Sequence, residues 1–223
     1  MSLRDLRGAV ALSLLLGTLA GCSAMPARKS GDVDARTSPR ALPEAADALL
    51  AGLARHCGRA YAGTVETDVP ETADSPFAGK SLVMHVRECG RDVARVPFHV
   101  GEDRSRTWVF TRNASGLRLK HDHRHADGSA DALTMYGGDA ASASVPGEPV
   151  SRIAFPADAE SIAMFRASGR EVSVTNVWAV ELSDHRFVYE LSRPGGRLFR
   201  VVFDLDRPVA APPPPWGATD AAQ

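Results

Sequence analysis

Apolar residues change their spacing near Gly58. Before it, Ala46, Leu49, Leu50 and Leu53 recur at three- and four-residue intervals, the period of a buried helix face. Pro43 suits a first helical turn and Glu44 and Asp47 stand close behind it, so the pattern predicts one amphipathic helix over 43–56, stopped by Gly58. From Tyr61 onward the period falls to two, as in strands whose side chains alternate between a core and a solvent face.

The clearest alternation sets Val172, Val174, Asn176, Trp178, Val180 and Leu182 against Glu171, Ser173, Thr175, Val177, Ala179 and Glu181. Ser183-Asp184-His185 turns the chain and Phe187, Tyr189 and Leu191 return it. Arg193-Pro194-Gly195-Gly196 turns it again, and Phe199, Val201, Phe203 and Leu205 complete a three-strand meander. Segments 61–67, 81–88, 93–100, 106–111, 117–125 and 133–136 read as further strands, and 155–165 as a second short helix. An antiparallel sheet of this size must hide its edges, so a mostly β fold closing into a barrel is predicted, with a two-sheet sandwich as the alternative. Residues 137–149 are small and polar and read as a loop. Four consecutive prolines, 212–215, predict an extended strap over 208–216 that lays Trp216 on the barrel, the alternative being a tail without structure.

The amino end has a different character. Arg4 and Arg7 precede an apolar run, residues 9–16, that is too short to span a bilayer and has the size of a signal-peptide core. Leu19-Ala20-Gly21-Cys22 resembles the lipobox of bacterial lipoproteins. That resemblance implies cleavage before Cys22, acylation of the cysteine with palmitate-type chains, and membrane attachment through them. Ser23 resembles the pattern sent to the outer membrane, facing the periplasm. Ordinary secretion, with a cut near Ala20 or Ala24, is the alternative. The chain then divides into a signal peptide (1–21), a lipidated tether (22–42), one β-rich domain (43–207) and the proline-rich strap or tail (208–223).

With 26 basic and 27 acidic side chains, the protein lacks the basic excess of a nucleic-acid binder. Hydrophobic content of 44% with 24% charged residues is that of a globular domain. The strand-rich body with one leading helix resembles the lipocalin-like, or calycin, barrels in architecture, although the Gly-x-Trp signature of lipocalins is absent near its start.

Three constellations carry candidate chemistry. Cys57 and Cys89 are the two cysteines besides Cys22, and in an oxidising compartment they predict a disulfide. On a strand, Leu117, Leu119, His121, His123 and His125 share one face, which begins apolar and turns rich in imidazole. A strand from Arg106 places Arg106, Trp108 and Phe110 together, and the turn at 113–116 pairs it with the histidine strand. Three readings follow for the histidines: hydrogen bonding to Asp122, Asp127 or neighbouring strands; binding the polar head of a small amphipathic ligand; or coordinating zinc or copper through His121 and His123. His121-x-His123 resembles the His-x-His of metallo-β-lactamases and amidohydrolases, but the Asp-His that should follow is missing and the strands do not alternate with helices. The chain has no Gly-x-Ser-x-Gly, Walker, Gly-x-Gly-x-x-Gly, His-Glu-x-x-His or Cys-x-x-Cys-His motif. The expectation is a lipid-anchored envelope protein that binds a small amphipathic ligand in its barrel. A metal-binding protein or metal-dependent enzyme using the run His121, His123 and His125, and an envelope structural or assembly factor, are the alternatives.

Overall fold

Ala46, Leu49, Leu50 and Leu53 are all buried on one face of helix α1 (Ala41–Arg55), as their spacing predicts. Glu44 in its first turn and Arg55 in its last suit the helix dipole. Gly58 turns the chain out of the helix, with φ +78° and its amide donating to the Val86 carbonyl at 2.7 Å. The computed structural model describes residues 41–71, 75–143 and 151–218. The signal peptide, the lipobox with Cys22, and the tether as far as residue 40 lie outside the described residues.

Twelve strands follow among the described residues: β1 Ala60–Val69, β2 Leu82–His85, β3 Glu88–Cys89, β4 Val93–Val100, β5 Asp103–Asn113, β6 Gly116–His123, β7 Tyr136–Asp139, β8 Ser142–Ala143, β9 Ser151–Pro156, β10 Val177–Leu182, β11 Arg186–Arg193 and β12 Arg197–Val209. Helix α2 (Ala159–Ala167) and a 3-10 turn (Glu171–Thr175) lie between β9 and β10. All pairings are antiparallel, in the order β7-β6-β5-β4-β2-β1-β12-β11-β10-β9-β8, with β3 beside β4. The mostly β, barrel-like fold is therefore present, as one curled sheet rather than a sandwich of two.

A single short segment joins the sheet's two edges. Tyr136–Asp139 pairs with β6, and Ser142–Ala143 pairs with β9. Between them the Ala140 amide donates to the Leu117 carbonyl at 2.8 Å and the Ala141 amide to the Ala154 carbonyl at 2.9 Å. Gly137 and Gly138 make this crossing sterically feasible. A Cβ on Gly137 would meet the Leu119 carbonyl oxygen at 2.0 Å, and one on Gly138 the Pro156 oxygen at 1.8 Å, both backbone atoms that have no rotamer to escape into.

Four local expectations are corrected. Residues 137–139 and 142–143 are strand rather than loop, because backbone pairing on both flanks outweighs their small, polar composition; 144–150 lie outside the described residues. The long strand expected from Val172 starts only at Val177. Residues 171–175 wind instead into the 3-10 turn and leave Val172 69% exposed. Phe155 belongs to β9, and the second helix begins after Asp158, whose side chain caps it by accepting from the Ser161 amide at 2.9 Å. His125 falls past the end of β6, in a turn closed by bonds between His125 and Ser129 and between Gly128 and His125.

Helix α1 packs against β4, β6 and β9, and its Leu42 and Gly52 approach Gly116 and Leu182, so it plugs the barrel end where β6 starts and β10 finishes. The Cys57–Cys89 disulfide, with Cα atoms 6.0 Å apart, fastens the chain just after α1 to β3. Closing a sequence separation of 32 residues contributes about 3–4 kcal/mol in the chain-entropy account. Outside the barrel, Arg104 Nη1 donates to the Pro214 carbonyl at 3.2 Å and the Trp216 amide to the Arg104 carbonyl at 3.1 Å, so residues 210–216 run as a strap across β5. Among the described residues no helix is long and apolar enough to cross a membrane.

Candidate ligand cavity

The alternation of β5 and β6 carries the apolar interior into a polar mouth. Arg106 pairs in register with His123 and Trp108 with His121. Residues at the start of β5, the end of β6, the start of β10, the end of β11 and the start of β12 surround a cavity of about 430 Å³. It therefore lies at the end of the barrel that α1 does not fill. Its walls are mainly rings: Phe98, Trp108, Trp178, Tyr189 and Phe199 from the strands, with Phe165 reaching in from α2. Trp108 stacks on Phe98 at 4.8 Å and on Tyr189 at 4.4 Å, so its plane is held on both sides. The polar lining consists of Arg106, His121, His123, Asp131, Arg170, Ser173 and Asn176.

The hydrogen bonds define the state of the two histidines. His121 Nδ1 lies 3.1 Å from the Tyr136 carbonyl oxygen, which can only accept, so Nδ1 carries the proton. Its Nε2 then accepts from the Tyr189 hydroxyl at 2.8 Å. Burial holds this imidazole neutral and pushes its pKa down to about 3. His123 Nε2 is 3.0 Å from the Tyr136 hydroxyl. Burial, helped by the nearby Arg106 guanidinium, lowers its pKa to about 4. Burial also pushes the Tyr136 hydroxyl up to about 12 and raises that of Tyr189. At neutral pH both phenols and both imidazoles are therefore uncharged donors and acceptors.

The fixed charges sit at the mouth. Arg106 Nη1 donates to Asp103 Oδ2 at 2.5 Å, which neutralises it locally. Asp131 accepts from the Leu133 amide at 2.7 Å. Arg170 has no carboxylate partner among the described residues. Asn176 is only 7% exposed, and its Oδ1 has no hydrogen-bond partner.

Of the residues singled out in the sequence, His121, His123, Arg106 and Trp108 come together here. His125 does not: it is exposed on the far side of the turn, its Nδ1 4.0 Å from Asp131 Oδ2. Both ring nitrogens of His121 are engaged by Tyr136 and Tyr189, which leaves none for a metal. Among the described residues no group of three or more His, Cys, Asp or Glu is placed to hold an ion. Sequence reasoning missed Tyr136, Arg170, Asn176, Trp178 and Tyr189 as parts of the site. The signal for Asn176 was its position: a polar side chain in phase with Trp178 and Val180 on a face that is otherwise apolar.

Beneath α2 a second polar cluster fixes the rim. Lys120, 7% exposed, donates to Asp158 Oδ2 at 2.6 Å and to Glu160 Oε2 at 3.5 Å. Burial works against the Asp158 carboxylate, but the Lys120 ammonium and the Ser161 hydroxyl and amide prevail and hold its pKa below the usual range. With its single proton on Asp158 Oδ1, the Ser161 hydroxyl accepts from the Gly137 amide at 2.8 Å, and its oxygen lies 3.0 Å from the Gly137 carbonyl oxygen. The joining segment, α2 and the cavity wall are thus one bonded unit. Comparison of the chain with protein-family profiles, with curated proteins and with solved structures finds no match in any of the three.

Proposed function

We propose that this protein is a lipid-anchored component of a bacterial envelope whose barrel binds a small amphipathic ligand without covalent chemistry. The observation that carries the reading is the cavity of about 430 Å³, ring-walled inside and polar at its mouth. Its volume falls within the usual range of small-molecule sites, and a few placed polar groups around an apolar interior are what such sites need. A cavity of this size suits one small guest rather than the two long acyl chains of a diacyl lipid.

Trp108 and Trp178 lie in the wall, so occupancy reports through tryptophan emission. Titrating the full chain with the amphiphile 1-anilinonaphthalene-8-sulfonate should give saturable binding at one site. Leu191→Trp, which fills space in the lining, should weaken it at least tenfold while leaving the melting temperature within a few degrees. Non-saturating binding, or equal affinity in that variant, sinks the pocket reading. The anchor rests on Leu19-Ala20-Gly21-Cys22. A labelled palmitate analogue fed to expressing cells should mark the protein, and Cys22→Ala should abolish both the label and membrane fractionation.

A further inference from the structure

The cavity contains two features that an apolar guest leaves unused. Asn176 lines it and is more than nine-tenths buried, yet its Oδ1 has no partner. A buried acceptor without a donor is disfavoured; the oxygen is closed off from solvent as it stands, but the terminal amide turns about a soft torsion, so a guest carrying an O–H or N–H satisfies it once the amide has rotated towards the cavity. At the mouth, Arg170 lines the same cavity without a carboxylate partner among the described residues, whereas Arg106 already has Asp103. The lining thus offers one buried amide and one uncommitted guanidinium.

The walls add shape. Two residues of the lining, Leu133 and Leu191, are aliphatic; the apolar remainder is aromatic. Phe77 and Phe199 stack at 4.1 Å, and Trp108 is clamped between Phe98 and Tyr189, so these faces are flat and their planes fixed. Rings held in this way favour a flat guest, by offset stacking or edge contacts, over a flexible chain that must lose its torsional freedom.

Resting on the binding function proposed above, we infer that the guest is a compact aromatic carboxylate bearing a hydroxyl or ring N–H: the ring lies among the aromatic walls, the donor meets Asn176, and the carboxylate meets Arg170. Arg170 attracts the anion at the mouth, and Asn176 selects among anions by the donor they carry. Neutral His121 and His123 lend the wall polarity without adding charge that would bind any anion indiscriminately.

Calorimetric titration of the full chain in detergent with four probes tests this: 4-hydroxybenzoate, benzoate, phenol and octanoate. The expected order places 4-hydroxybenzoate tightest, with octanoate weakest of the acids. Asn176→Leu should weaken 4-hydroxybenzoate about three- to tenfold and leave benzoate unchanged, the range for one neutral hydrogen bond. Arg170→Gln, at an exposed position, should weaken both aromatic acids by a similar factor and leave phenol unchanged. Octanoate binding as tightly as 4-hydroxybenzoate, or acid binding indifferent to Arg170→Gln, overturns the inference while the small-ligand reading survives. If none of the four probes binds and 1-anilinonaphthalene-8-sulfonate does not saturate either, both readings fail together.

Discussion

Acidification from pH 7 to about pH 4.5 is expected to destabilise this barrel strongly through its imidazoles. Three histidines are responsible, His99 and His121 buried and His123 half-buried. Burial lowers the pKa of His99 to about 4, of His123 to about 4 and of His121 to about 3, against an ordinary 6.5. His85, outward on β2 and 7% exposed, shifts in the same direction for the same reason. Because the folded pKa lies below the unfolded one, the unfolded chain takes up protons first. The stability is fully present above about 6.5 and is lost progressively as pH falls towards 4. At 1.36 kcal/mol per unit over the two units from 6.5 to 4.5, each of the three costs about 2–3 kcal/mol. Together they are comparable with the whole stability of many domains. Asp103, Asp139, Asp158 and Glu181 are held below their ordinary range, so their contributions disappear only at lower pH still. Thermal melts by circular dichroism from pH 7.5 to 4.5 should show a continuous fall in melting temperature, with a smaller slope in His99→Gln. A flat profile over this window would show that the imidazoles are hydrated in the folded protein.

The second large effect is expected at Asp158. Its carboxylate accepts from the buried Lys120 ammonium, from the Ser161 amide as a helix cap and from the Ser161 hydroxyl at 2.7 Å. Asp158→Ala leaves the ammonium of Lys120 beneath α2 with only the more distant, exposed Glu160. Removing one partner of a buried pair costs about 3–5 kcal/mol, and the lost cap adds about 1. Asp158→Asn keeps the cap and one neutral bond and should recover part of the loss. Urea unfolding measures both. Because Ser161 ties α2 to Gly137, and α2 carries Phe165 into the cavity, Asp158→Ala should also weaken the saturable dye binding. Full stability in Asp158→Ala would mean that Lys120 reaches solvent and that α2 is held by its apolar contacts alone.

How much of this was visible in the sequence differs from element to element, for physical reasons. β4, Val93–Val100, was read to the residue because its inward side chains, Ala94, Val96, Phe98 and Val100, keep a strict alternation. Helix α1 was equally plain, since one apolar face is a local property. Residues 171–175 carry the same alternation as β10 but wind into a 3-10 turn that packs against α2 rather than pairing with a strand. The strand expected over 133–136 begins only at Tyr136, and 137–143 reads as a loop because its strand character comes from neighbours far away in sequence and its glycines hide any pattern. The site divides in the same way. The pairing of Arg106 and Trp108 with His123 and His121 followed from one hairpin and was legible. Tyr136, Tyr189 and Asn176 reach the same cavity from segments far apart in sequence, so only the curled sheet brings them together.

The pairing of the first strand with the last has a consequence for how the molecule is made. Arg197 bonds to Asp68 across 129 positions of chain, and Ala60 sits beside Val209. A nascent polypeptide emerging from the ribosome holds β1 without its partner on that flank until almost the whole domain has been synthesised. Contacts of such long sequence separation slow the search for the native state. Until β12 arrives, the growing sheet carries a bare, sticky margin, and a chain cut short before Arg197 never acquires the strand that would cover it.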